Sequence, residues 1–177
     1  TYSAHATCLS SKFMGLSGDY PYYLSEFMEE RHDFAVFAAG AVGSHRPKAP
    51  GNDIKSIKQY ASTLDSVVNE NKSEKALAGK QVLATRLPLK LRSPHYRVSD
   101  NIRLRPWLFN WAIGDNPAYF DVVRIGNALF ISSSGEVSGV FYKAWEEQAQ
   151  ALGLSLFITT FNGGYIGYIT PDKYYSG

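Results

Sequence analysis

The chain has 177 residues, 45% of them hydrophobic and 19% charged, which is enough apolar material for one cored domain and excludes a disordered polypeptide. Its 18 basic and 16 acidic side chains leave a formal charge of +2, with no basic stripe interleaved with stacking aromatics, so no nucleic acid is expected as a partner. The one cysteine, Cys8, excludes an intrachain disulfide and a cysteine-based zinc ribbon, and its expected role is that of a small buried hydrophobe. No apolar stretch approaches the ~20 residues of a membrane helix, and no signal peptide is visible. The chain opens on Thr1 without a methionine, so a processed product or a fragment of a longer precursor is expected.

In chain order, residues 22–30 follow the turn Gly18-Asp19-Tyr20-Pro21 and carry Tyr23, Leu24, Phe27 and Met28 at the spacing of an amphipathic helix. Asp19 is expected to hold that turn through an Asx hydrogen bond. The apolar run 34–39 predicts a buried central strand that ends in the glycine-punctuated loop Gly40-Ala41-Val42-Gly43-Ser44. Residues 54–69 predict a helix capped by Asp53, with Ile57, Tyr60, Ala61, Leu64 and Val68 on one face. A polar stretch follows, and residues 81–91 then alternate as a half-exposed strand does. Residues 93–121, which hold Pro94, Pro106, Pro117, Trp107 and Trp111, are expected to form irregular crossover structure anchored by the aromatics.

The most sharply defined unit begins at the apolar strand 127–132, which runs into Ser134-Gly135-Glu136-Val137-Ser138. A helix is predicted over 140–152 with Gly153 as its stop, then a strand over 155–160 that opens into Phe161-Asn162-Gly163-Gly164-Tyr165. A strand, crossover helix and strand of this kind make parallel neighbours, so Glu136 and the loop 162–168 are expected at one sheet edge. Catalytic and ligating groups gather at such carboxyl ends, and His5 in Ala4-His5-Ala6-Thr7 is a third polar candidate. The simpler role for Glu136 is to charge the first turn of the following helix. The fold class read from this alternation is α/β, a mixed and partly parallel sheet flanked by helices.

Taken in order, Ser3-Ala4-His5-Ala6-Thr7, Leu16-Ser17-Gly18-Asp19-Tyr20-Pro21, Gly135-Glu136 and Asn162-Gly163-Gly164-Tyr165-Ile166-Gly167-Tyr168-Ile169-Thr170 resemble the neutral/alkaline (non-lysosomal) ceramidase family. The resemblance runs over most of the chain, including residues 97–108, and implies that residues 1–177 are a single domain or fragment, one lobe of a larger catalytic domain without its upstream part. It implies zinc-dependent hydrolysis of a linear amide, with His5, Glu136 and Tyr168 as metal ligands and one further histidine from an upstream segment. An N-acyl lipid-like molecule is the implied substrate and peripheral membrane contact is compatible with it. The compartment implied is secreted, periplasmic or membrane-associated, and the upstream segment could be a second chain cut from the same precursor.

The donor types suit that chemistry, since zinc accepts imidazole nitrogen and carboxylate oxygen, and a nearby dication favours the phenolate of a tyrosine. The metal would polarise the carbonyl and lower the pKa of water to about 7. In the loop 40–47 the chain departs from the family, because Gly40 stands where the family has a serine linked to catalysis. Ser44 and His45 are the polar candidates left there, each with a surface or backbone-bonded role as the alternative. Two other classes follow from the residues: a ceramidase-like binding domain without catalysis, favoured by Gly40, and an N-terminal-nucleophile hydrolase that uses Thr1.

Overall fold

A computed structural model describes residues 1–71, 77–90, 97–99, 102–114 and 118–174. Two helices come first, α1 (Asp19–Glu29) and α2 (Ile54–Glu70), and they pack on each other. Asp53 is extended, and its Oδ1 accepts from the Ser56 N–H at 2.7 Å, so it caps α2 as its sequence position predicts. The stripe of Ile57, Ala61, Tyr60 and Leu64 closes over Tyr20 and Leu24 of α1 and over Cys8, which is buried as expected. Arg31 pairs with the buried Asp65 of α2.

The rest of the chain builds a mixed sheet. Strand β1 (Val82–Pro88), the short pair β2 (Arg97–Ser99) and β3 (Ile102–Arg103), helix α3 (Pro106–Ile113), and strands β4 (Tyr119–Ile125) and β5 (Ala128–Ser133) are followed by β6 (Glu136–Val137). A 3₁₀ turn (Gly139–Phe141), helix α4 (Tyr142–Ala151), β7 (Ser155–Thr159), β8 (Tyr168–Ile169) and a second 3₁₀ turn (Asp172–Tyr174) complete the order. The main sheet runs β1-β4-β5-β7, with β1, β4 and β5 antiparallel and β7 parallel to β5. The fold is α/β with a partly parallel sheet and flanking helices, and α4 is the crossover between the parallel pair.

The β5/β7 register explains the core. Leu129 faces Leu156 and Ile131 faces Ile158, and these pack with Ala149, Trp145 and Phe141 of the crossover. On the opposite face Phe130 stacks on Phe157 and Ser132 shares a 2.8 Å hydrogen bond with Thr159.

Two expectations need correction. Residues 34–39 do not form a buried central strand: Phe34 is 76% and Val36 70% exposed, and only Ala39 takes part in a β-bridge. Phe37 packs edge-on against Tyr20, and among the described residues the backbone pairing of the segment lies at its end, where Tyr2 N–H donates to Ala38 O, Gly40 N–H donates to Tyr2 O and Ala39 O accepts from Thr160 N–H. Within 93–121, the described residues form β2, β3, α3 and the start of β4 instead of irregular structure, and Trp107 and Trp111 are exposed instead of anchoring it. The signal was Pro106: at the first helical position its missing N–H costs nothing and its fixed φ starts a turn. Strand β1 is exposed along its whole length, more than its alternation predicts, and is tied to β4 by Arg86, which grips Asp121 at 2.7 and 2.9 Å.

Candidate functional site

Glu136 lies on a two-residue strand of its own. Strand β6 pairs in parallel with β8 so that Glu136 stands opposite Tyr168, with Glu136 N–H donating to Gly167 O and Ser138 N–H to Ile169 O, both at 2.8 Å. The helical turn begins after Ser138, which caps it, so Glu136 is not a first-turn carboxylate. The loop 40–47 lies on the same strand: Gly43 N–H donates to Val137 O at 2.9 Å and Val42 bridges to Ser138.

The carboxyl group of Glu136 is buried, at 4% residue exposure, and has three neighbours. Tyr165 donates its hydroxyl to Oε1 at 2.9 Å, His5 Nε2 lies 2.9 Å from Oε2, and Tyr168 stands opposite Glu136 in the strand pair. Hydrogen bonding to Glu136 is the main cause that holds the Tyr165 phenol above its ordinary pKa, followed by burial and the carboxylate charge. Tyr168 is raised by burial first, then by the charge and hydrogen bond of Glu136. The His5 contact is close in distance but lacks hydrogen-bond geometry, so Oε2 is a buried oxygen without a donor, as is Ser134 Oγ nearby in the chain. The short distance alone makes no hydrogen bond, which depends on direction as well as length.

His5 is positioned from α1. Tyr20, fully buried, donates its hydroxyl to Ala4 O at 2.6 Å. Asp19 accepts from the N–H groups of Cys8 and Leu9 through Oδ2 and of Tyr20 through Oδ1, at 2.9, 3.0 and 2.7 Å. Asp19 therefore holds the segment after His5, a reach that local sequence does not reveal, while residues 19–21 form the first turn of α1 instead of the separate Asx-held turn expected.

Ser44 and His45 form a second cluster. Ser44 Oγ accepts from Gly139 N–H at 2.9 Å and lies 3.2 Å from His45 Nδ1, while His45 O accepts from His5 N–H at 3.3 Å. A cleft of about 460 Å³ is lined by Gly43, Ser44, Ser138, Val140, Tyr168 and Thr170 among others, so Tyr168 borders both this cleft and the carboxylate. Gly40 offers no side chain, and a Cβ there would stand 2.6 Å from Ser3 Oγ, which already bonds to Ala41 N–H at 3.1 Å.

Among the described residues no group of three His, Cys, Asp or Glu side chains converges as a metal site. The set His5, Glu136 and Tyr168 has a different composition, one imidazole, one carboxylate and one phenol, and its donor types suit zinc. Two ligand atoms on a tetrahedral zinc stand about 3.3 Å apart given bonds of about 2.0–2.1 Å. The 2.9 Å between Nε2 and Oε2 is close to that separation, and Oε2 wants a partner. The residues fit the group. Tyr165 was the member that sequence reasoning passed over, since several tyrosines crowd this segment and nothing in their spacing says which hydroxyl reaches inward.

No family model and no curated protein matches the chain. Among solved structures it is similar to the crystal structure of neutral ceramidase from Pseudomonas aeruginosa, with a TM-score of 0.68 over 96% of this chain and 14% sequence identity. The fold is ceramidase-like. The chain spans 37% of the length of that protein, and at this identity the likeness is one of fold.

Proposed function

We propose that the chain carries the metal-binding lobe of a ceramidase-like amide hydrolase, with His5 Nε2, Glu136 Oε2 and the Tyr168 oxygen as ligands to one zinc ion and an N-acyl lipid-like molecule as substrate. The observation that carries this reading is the buried Glu136 Oε2, without a hydrogen bond, facing His5 Nε2 at 2.9 Å. A buried carboxylate oxygen left in that state is costly, and a shared cation is the partner that an imidazole nitrogen and a carboxylate have in common. Zinc bound there supplies Lewis-acid polarisation of an amide carbonyl and a water acidic enough to react near neutral pH. A further histidine from an upstream segment, in the same or a second polypeptide, completes the ligand set in this reading.

The chain's own side chains divide the remaining work. Tyr168 stands between the buried pair and the cleft, while Ser44, Ser138 and Thr170 offer hydroxyls that orient a polar head. Departure of an amine from an amide needs a proton at nitrogen. In this reading His45, whose Nδ1 lies 3.2 Å from Ser44 Oγ, supplies that proton. A second reading, ligand binding without turnover, is favoured by one observation: the space beside Gly40 is closed by Ser3, so no nucleophile comes from that position.

Zinc titration calorimetry beside an N-acyl amide hydrolysis assay tests both. His5→Ala and Glu136→Gln are each expected to weaken zinc binding by about tenfold or more, and Thr1→Ala to leave binding and turnover unchanged. Zinc-dependent turnover supports the hydrolase, and zinc uptake without turnover supports the binding domain. Absence of uptake at high metal concentration would overturn the metal site.

A further inference from the structure

We infer that Tyr165 is a positioning residue for Glu136: its hydroxyl engages Oε1 and leaves Oε2 as the single carboxylate oxygen turned towards His5 and a shared cation. The inference rests on the metal reading above and goes beyond it, because it assigns a residue that is not itself a ligand. A carboxylate can hold a cation through one oxygen or through both, and the choice sets how many positions remain for other ligands. Here the two oxygens of Glu136 have unlike surroundings: Oε1 accepts a hydrogen bond of 2.9 Å, and Oε2 accepts none. A hydrogen bond to the outer oxygen of a ligating carboxylate fixes its orientation and raises metal affinity.

The surroundings of Tyr165 make a packing role a poor account of it. The residue is 55% exposed, yet its hydroxyl reaches a carboxyl group that is almost wholly buried. Its ring stacks on Phe161, with centroids 6.3 Å apart and planes 15° from parallel. Phe161 has φ +64°, a left-handed conformation rarely taken by a bulky residue, and its ring also lies 6.5 Å from that of His5. The exposed ring thus rests against Phe161 beside His5 and carries its hydroxyl inward to one oxygen of Glu136.

Tyr165→Phe keeps the ring and its stack and removes only the hydroxyl. In the full chain, Zn²⁺ affinity by calorimetry is expected to fall about 10–100-fold, the size of effect seen when such an outer partner is lost. The visible absorption of the Co²⁺-loaded chain is expected to change as Oε1 becomes free to join the metal. The thermal midpoint of the metal-free chain should move by less than about 4 °C. Tyr165→Ala should lose no more affinity than Tyr165→Phe. If Tyr165→Phe matches the parent in both affinity and Co²⁺ spectrum, or if only Tyr165→Ala loses affinity, the hydroxyl role is overturned in favour of packing. If the parent and Glu136→Gln take up Zn²⁺ equally, the metal reading itself has failed, and Tyr165 loses its task with it.

Discussion

At Gly43 the chain passes so near β6 that a Cβ would stand 3.0 Å from the carbonyl carbons of both Glu136 and Val137, closer still to the Glu136 oxygen. These are backbone atoms and cannot swing aside, so Gly43→Ala must displace either the loop or the strand that carries Glu136. The expected cost is about 1–3 kcal/mol of stability, measured by urea unfolding, together with weaker zinc uptake than the parent. The sequence marks this loop as functional through its glycines, but not why they are needed: what excludes a side chain is a strand nearly a hundred residues further along. The same holds for the tyrosines. Spacing brings Tyr165 and Tyr168 into one segment, but only the folded chain shows that Tyr165 bonds Oε1 of Glu136 while Tyr168 stands opposite Glu136 in the β6/β8 register.

Among the elements, α1 and α2 do more than shield the sheet, since through Tyr20 and Asp19 they grip the residues on either side of His5. Burial, more than any charge, holds the Tyr20 phenol above its ordinary pKa and pushes the Cys8 thiol up to about 12. A proton bound more tightly in the folded state stabilises it fully below the ordinary value, and this contribution is lost as the pH climbs from there towards the folded value. The α1/α2 layer should therefore weaken above about pH 9–10, where an unfolded thiol and phenol would already ionise. Circular dichroism from pH 7 to 12 is expected to show an alkaline transition that Tyr20→Phe blunts. At neutral pH the same variant should cost about 1–3 kcal/mol, because the Ala4 carbonyl loses its buried donor. Both helices were legible because a 3.6-residue stripe needs no knowledge of its partner. The run 34–39 was misread because a short apolar stretch has the same appearance whether it pairs along its length or only at its end.

On the scale of the whole chain, alternation of strand and helix was enough to foresee a partly parallel sheet and to bring Glu136 and the loop after β7 to one edge. It could not foresee how unevenly the molecule is held together. The apolar clusters centre on β5, β7 and α4 and on α1 and α2, whereas Val98, Ile102, Trp107 and Trp111 of β2, β3 and α3 are exposed. Hydrogen exchange is expected to be slowest at amides of β4, β5 and β7 and fastest in β2, β3 and α3, and uniform protection would contradict this division. One small contact has a longer reach. Ser3 fills the place where a side chain at position 40 would begin, and its oxygen serves the Ala41 N–H. A side chain at position 40 would crowd Ser3 Oγ, and turning or removing that oxygen leaves the Ala41 amide without its acceptor. The two positions are therefore coupled, and substitutions at 3 and 40 should not add in their effects on stability.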